Sequence, residues 1–204
     1  MALSLTVLII VATVLVSWLA FNNARLLERL ILWPPAIARQ HQYDRLVTHG
    51  FIHADFQHLL FNMITLYFFG RLVEQWFVPY IGRVGFVLFY LSAIVVAILP
   101  TYLRHVGDAR YRSLGASGAV SAVLFTFILV QPWSLIFVFF LPVPAIVYAV
   151  LYVGYSVWMD KHGRDNVNHS AHLWGAAYGI AFTLLMEPRV GAAFVQRLLH
   201  PSFG

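Results

Sequence analysis

Residues 84–103 read VGFVLFYLSAIVVAILPTYL, a stretch of twenty residues without Asp, Glu, Lys or Arg. A helix needs about 20 apolar residues to cross a bilayer, so this stretch predicts a membrane-spanning helix. Of the 204 residues in the chain, 61% are hydrophobic and 10% are charged, whereas soluble domains carry about 25% charged residues. The composition therefore excludes a water-soluble globular protein, and the continuous apolar runs argue against a β-barrel.

Five further apolar stretches are separated by charged residues, Pro or Gly. We predict an all-α, polytopic membrane protein with one domain over residues 1–204. The six predicted spans are residues 2–21, 58–77, 84–103, 115–130, 133–158 and 171–186. Six spans of about 20 residues use about 120 residues, so little chain is left for a soluble domain. The chain has no internal repeat, which disfavours the duplicated architecture of many transporters.

Two segments differ from plain spans. The connection 22–57 contains a Trp-Pro-Pro sequence and many aliphatic residues, so we predict a partly membrane-embedded loop with short helical pieces. The span 133–158 contains Pro142 and Pro144. Each proline removes a backbone donor from a helix, so we expect this span to bend or move.

Several functions are disfavoured by residue type. The net charge is +5, but the 13 Lys and Arg residues are scattered and form no basic stripe, so nucleic-acid binding is not predicted. The absence of cysteine removes disulfides, thiolate catalysis and Cys-based metal sites. The pairs His53/His58 and His169/His172 leave a metal site open, but no HExxH pattern accompanies them. We predict neither a metal nor a cofactor.

Polar side chains are concentrated at the starts of spans two, four and six. These segments read HADFQHLLFN (53–62), GASGAVSA (115–122) and NHSAHLWGAAYG (168–179). An unpaired polar group inside a bilayer costs several kcal/mol, so polar residues there are functional candidates. Alternate spans enter the membrane from the same side, and we therefore expect the three segments at similar depth.

A serine in a Gly-X-Ser-Gly turn, an imidazole and amide donors at one depth are the components of serine hydrolysis. We predict Ser117 as the nucleophile and His172 as the general base. His58 and Asn62 share a helical face and would stabilise the oxyanion together with the Ser117 amide. Gly115 has no side chain and would let the substrate backbone approach.

Three glycines are predicted to support close helix packing. Gly118 flanks the serine, while Gly175 and Gly179 would let span six press on span four. Each motif alone also has a structural explanation, since small residues line many membrane helix contacts and polar side chains can simply cross-link helices. A row of small residues that serves only helix packing would not require an amide and two imidazoles at the same depth in the membrane. Their joint occurrence therefore favours catalysis.

The three motifs together resemble the signatures of the rhomboid intramembrane serine proteases, and the resemblance extends over essentially the whole chain. They are His-x4-His-x3-Asn, Gly-x-Ser-Gly and Ala-His-x2-Gly-x3-Gly. The resemblance implies a six-helix rhomboid bundle, a Ser117/His172 dyad, an oxyanion site with His58 and Asn62, and membrane-protein substrates within a lipid bilayer. It also implies that residues 22–57 lie beside the active site and that span five is a lateral gate.

The sequence departs from the family pattern at several positions. Ser121 occupies the position where an aromatic residue often stacks on the catalytic imidazole, and Asp44 precedes Arg45 where many members have Trp-Arg. Asp165 precedes His172 by seven residues, about two helical turns, and we expect it at the aqueous edge. A dyad is therefore predicted instead of a triad.

Two other functions stay open: a proteolytically inactive rhomboid-like protein that binds transmembrane helices, and a transporter or channel. The side of the long loop carries nine Arg and Lys residues against four on the other side, which by the positive-inside rule places the active face in the cytoplasm. The family pattern implies the opposite orientation, which we follow. We expect a bacterial inner membrane, with the active site open to the extracytoplasmic side. The natural substrate and oligomeric state are not predicted.

Overall fold

The computed structural model describes residues 3–138, 140–163, 165 and 167–201 of the chain. The predicted start of the first span, Ala2, lies outside the described residues. The helices and strands are α1 (Leu5–Phe21), α2 (Ala24–Leu30), α3 (Pro34–Gln40), α4 (Arg45–Thr48), α5 (Phe56–Thr65), α6 (Arg71–Arg104), α7 (Ser117–Val130), β1 (Leu135–Val138), β2 (Leu141–Pro144), α8 (Ala145–His162), α9 (His169–Met186) and α10 (Arg189–Leu199). The prediction of an all-α chain is confirmed in part, because the described residues are mostly helical but include one pair of β-strands.

The helical run Phe56–Arg104 is long and apolar enough to cross a membrane. Among the described helices, α1 and α7 are also apolar but shorter. Gly82, with φ 70° and ψ 174°, interrupts this segment inside α6. The chain folds back there, because the rings of Phe77 and Phe89 are 4.9 Å apart, whereas a straight helix would separate them by about 18 Å. The break lies between the second and third predicted spans.

Helix α7 is the centre of the fold. Its 14 residues run from Ser117 to Val130, and the whole stretch from Gly118 to Leu129 is buried. A helix that is apolar on all sides belongs in the interior, which explains why α7 shows no amphipathic pattern. Helices α6, α8 and α9 surround it.

The prediction of one continuous helix over 133–158 is wrong in its first part. Strands β1 and β2 form an antiparallel pair, with Leu135 opposite Pro144, and α8 begins only at Ala145. Proline cannot donate the hydrogen bonds of a helix interior but is tolerated in an edge strand. Pro142 and Pro144 therefore lie ahead of the helix instead of bending it.

The connection between α1 and α5 contains three short α-helices and a 3₁₀-helix, His49–Phe51, in agreement with the predicted helical pieces. Arg45 is buried, and its guanidinium donates hydrogen bonds to the carbonyls of Glu28 and Ile31 at 2.7 and 2.6 Å. Asp44, which occupies the position of the expected aromatic residue, pairs with Arg29 at 2.6 Å. Charge-assisted hydrogen bonds thus hold this connection in a folded form.

Both ends of the described chain lie at one end of the helix bundle. Ser4 donates a hydrogen bond to Glu74 at 2.6 Å, and Arg83 donates one to the carbonyl of Leu3, which places the start of α1 beside the turn at Gly82. Arg197 of α10 donates to the carbonyl of Val130, the last residue of α7. The starts of α5, α7 and α9 therefore share the opposite end of the bundle.

Candidate active site

A cavity of about 930 Å³ lies at the end of the bundle where α5, α7 and α9 begin. Ser117, His172, His58 and Asn62 all line it. These four side chains come from three helices that are far apart in sequence. The structure thus places the predicted nucleophile, base and oxyanion donors around a single cavity.

Ser117 is the first residue of α7 and follows a sharp turn. Gly115 has a φ of 117°, a conformation that residues with a side chain rarely adopt. The turn is held by the backbone N–H of Gly115, which donates to the carbonyl of His49 at 2.9 Å. The Ser117 N–H is one of the groups at a helix start that have no acceptor within the helix, so it is available for an oxyanion.

The imidazole of His58 packs directly on this turn. A Cβ atom at Gly115 would lie 2.7 Å from Cε1 and 2.9 Å from Nε2 of His58. Gly115 therefore makes room for His58, whereas the sequence had suggested that it makes room for substrate. Any side chain at position 115 would displace the imidazole of His58.

Asn62 follows His58 by one helical turn and is buried. Its Nδ2 donates to the carbonyl of His58 at 2.9 Å. An amide nitrogen carries two hydrogens, so this bond fixes the side chain while leaving one donor for a group in the cavity. The position agrees with a role in oxyanion stabilisation.

His172 lies in the first turn of α9 and is half-buried. Its ring stacks on Tyr152 of α8, with centroids 6.0 Å apart and planes inclined by 27°. It also meets the ring of His169 edge-on at 5.7 Å. Among the described residues, no hydrogen bond joins Ser117 to His172. Such catalytic contacts are often long before substrate binds.

Asn168 fixes the start of α9. Its Oδ1 accepts from the N–H of Ala171 at 3.0 Å, and its Nδ2 donates to Ser113 Oγ at 3.4 Å and to Tyr111 Oη at 3.3 Å. Ser113 and Tyr111 belong to the segment that leads into α7. This cap therefore ties the start of the helix that carries His172 to the segment that precedes Ser117.

Helices α7 and α9 are in backbone contact. A Cβ atom at Gly175 would lie 2.8 Å from the carbonyl carbon of Gly118, and one at Gly179 would lie 2.7 Å from that of Ala122. A side chain at either position would overlap the α7 backbone, which cannot rotate aside. Gly118 is also confined, because a Cβ atom at this position would lie 2.6 Å from Ala97 Cβ.

Asp165 contacts His169, whereas a catalytic triad would require a contact with His172. Its Oδ2 lies 3.2 Å from Nε2 of His169. It also accepts from the N–H of Val167. In the described part of the chain this carboxylate orients His169, so the arrangement resembles a dyad more than a triad.

His53 contacts the turn that precedes Ser117. Its Nε2 accepts from the N–H of Ala116 at 3.4 Å, and its Nδ1 lies 3.0 Å from Ser17 Oγ. Because Nε2 is an acceptor, Nδ1 carries the proton and donates to Ser17, whose hydroxyl in turn donates to the carbonyl of Phe51. Burial lowers the pKa of His53 to about 3, which keeps the ring in this neutral form.

The family follows from comparison with known proteins. A family model described as the Rhomboid domain matches residues 40–189. The chain belongs to the rhomboid family. Rhomboid proteins are membrane proteins, so the match agrees with the apolar composition of this chain.

Several curated rhomboid relatives are similar to the chain. It is 32% identical to the RHOMBOID-like protein 12, mitochondrial, of Arabidopsis thaliana over 81% of its own length and 53% of that protein. It is 34% identical to the Presenilin-associated rhomboid-like protein, mitochondrial, of Rattus norvegicus over 64% of its length and 34% of that protein. A Putative rhomboid protease of Bacillus subtilis is 29% identical over 54% of the chain and 55% of that protein.

The chain spans about half the length, or less, of these rhomboid relatives. Mitochondrial and chloroplastic proteins are prominent among them. The comparisons therefore support a membrane protein but not the expected bacterial inner membrane.

Proposed function

We propose that this rhomboid protein is an intramembrane serine protease that cleaves transmembrane protein substrates with a Ser117/His172 dyad. One observation carries the proposal: Ser117 and His172 line the same cavity, at the starts of two helices that glycines bring into backbone contact. The nucleophile and the base thus belong to elements whose separation the fold fixes.

The proposed reaction begins when Ser117 Oγ attacks the scissile carbonyl and His172 accepts the hydroxyl proton. The tetrahedral oxyanion is stabilised by the Ser117 N–H, Asn62 and the imidazole of His58. His172 then gives its proton to the leaving amine, and a water molecule hydrolyses the acyl-enzyme by the same proton transfers.

We further propose that six segments cross the membrane. They are α1, the segments before and after Gly82 in the run Phe56–Arg104, α7, α8 and α9. Large apolar side chains on α1 and α8 support this, since Leu15, Leu19, Val150 and Leu151 are each at least 58% exposed. Such side chains are favourable against lipid and unfavourable against water.

A substrate helix hides its peptide carbonyls in its own hydrogen bonds. It must therefore unwind locally before Ser117 attacks, which favours substrates with helix-breaking residues.

A fluorophosphonate probe tests the proposal. We expect the purified protein in detergent to be labelled covalently, and the Ser117→Ala variant to remain unlabelled at an unchanged unfolding temperature. The probe reacts with serines whose hydroxyl is activated by a base. An unlabelled but folded wild-type protein would instead favour the inactive helix-binding function.

We propose that the cavity opens on the side of the membrane opposite the termini, away from the cytoplasm. The chain has no cysteine, so single cysteines at the exposed positions Arg110, near the cavity, and Arg197, in α10, can be assayed cleanly. We expect an impermeant thiol reagent applied to intact expressing cells to label Arg110→Cys and not Arg197→Cys. The reverse pattern would support the orientation that the distribution of basic residues favours.

A further inference from the structure

The contacts of His172 show what holds its ring. Among the described residues the imidazole makes no side-chain hydrogen bond; its ring contacts are the stack on Tyr152 and the edge contact with His169. An imidazole without a hydrogen-bond partner is oriented by the surfaces against which it packs. Of the two rings, Tyr152 is the one that lies against the face of the imidazole, since its plane is inclined by only 27° to it.

Tyr152 is itself held in place by α7. Its hydroxyl lies 2.6 Å from Ser121 Oγ, and its ring contacts Phe125 at a centroid distance of 5.5 Å. Ser121 is 3% exposed and lies one helical turn after Ser117. Because Ser121 is buried, loss of this hydrogen bond would leave its hydroxyl without a partner, which costs free energy.

We propose that Tyr152 positions the imidazole of His172 for proton transfer and that Ser121 fixes Tyr152 in turn. The inference rests on the proposed protease function and extends it to two residues that do not react. The chain of contacts runs from Ser121 on α7 through Tyr152 on α8 to His172 on α9. It therefore links the helix of the nucleophile to the base through a third helix.

Tyr152 lies on α8, a helix at the edge of the bundle. Of the 18 residues in α8, only Ala145, Ala149 and Ser156 are buried, so α8 is a peripheral helix. A peripheral helix moves with less loss of packing than the central α7. Displacement of α8 would carry the Tyr152 ring away from His172.

Kinetics of the variants test the proposal with a transmembrane substrate in liposomes. We expect Tyr152→Leu to lower kcat about 10- to 100-fold with KM within about 2-fold, because misplacement of a catalytic group acts on the chemical step. Tyr152→Phe retains the ring but loses the hydrogen bond to Ser121, so kcat should fall about 3-fold, less than in Tyr152→Leu. The rate of fluorophosphonate labelling should follow kcat.

Tyr148→Leu is the matched control. Tyr148 lies one turn before Tyr152 on α8 and lines the same cavity, but its ring contact is with Tyr152 and not with His172. We expect this variant to change KM more than kcat. If Tyr152→Leu retains wild-type kcat, or alters only KM, the proposal is wrong, whereas a wild-type protein that neither cleaves nor labels would overturn the protease function itself.

Conservative variants keep the test decisive if Tyr152→Leu does not fold. Ser121→Ala and Tyr152→Phe each remove one partner of the same hydrogen bond. In a double-mutant cycle their effects on kcat should therefore be non-additive, with the double variant no slower than the slower single variant. Additive effects on kcat would contradict the proposed link between Ser121 and Tyr152.

Discussion

Replacing Ser117 by alanine is expected to reduce cleavage of a reconstituted transmembrane substrate by at least about 10⁴-fold, because the variant has no nucleophile. His172→Ala should have an effect of similar size, since an unactivated serine hydroxyl is a weak nucleophile. The two groups act as one unit, so the double variant should be no slower than the slower single variant. Cleavage is measured by gel in liposomes of defined lipid composition.

Two controls accompany this prediction. His200→Ala removes an exposed imidazole that follows α10, at the opposite end of the bundle, and should leave the cleavage rate unchanged. The unfolding temperature in detergent should be equal for Ser117→Ala and wild type. Residual cleavage by Ser117→Ala above the background of protein-free liposomes would assign the nucleophile to another residue.

Replacing Gly179 by alanine is expected to disrupt the contact between α7 and α9. The added methyl group would lie 2.7 Å from the carbonyl carbon of Ala122 and 2.8 Å from its Cα. Both atoms belong to the backbone of the central helix, so the two helices would have to separate. Thr126 and Thr183 donate hydrogen bonds to the carbonyl of Gly179 at 3.2 and 2.7 Å, and helix separation would break the bond from Thr126.

We expect Gly179→Ala to cost at least about 3 kcal/mol of the free energy of unfolding, a decrease of about 6–12 °C in unfolding temperature. Gly154→Ala on α8 is the matched control, because a Cβ atom there meets nothing within 4 Å. It should leave the protein unchanged or stabilise it by about 1 kcal/mol through helix propensity. Equal unfolding temperatures for the two variants would show that the close contact is absent in solution.

The helical elements, and the positions of the candidate site residues at the helix starts, follow from the sequence because apolar runs and polar motifs are local signals. The motif around Ser117 predicts the start of α7, and the motif around His172 predicts a helix that begins within a few residues of it. The turn at Gly82 falls between two predicted spans for the same reason. These features need no knowledge of tertiary contacts.

The hairpin before α8 was missed because composition alone cannot separate an apolar strand from an apolar helix. Pro142 and Pro144 were the available signal, since two prolines in three residues favour an end of a helix over its middle. The helix α8 accordingly begins directly after Pro144.

The support of His172 by Tyr152 could not be predicted, because the contact depends on how α8 packs against α7 and α9. The sequence shows only that Ser121 is not aromatic. The space left by that small side chain is filled from another helix, and the same holds for Gly115, whose missing side chain accommodates the ring of His58. Such pairs of small and large residues are properties of the packed interior.

In the proposed membrane arrangement, the shortness of α7 determines how deep Ser117 lies in the bilayer. Its 14 residues extend over about 21 Å, whereas the hydrocarbon core of a bilayer is about 30 Å thick. If α7 crosses the bilayer as proposed, with Val130 at one surface of that core, Ser117 lies about 9 Å below the other surface. In the proposed protease, the cavity would then bring water to a peptide bond that lipid would otherwise keep dry.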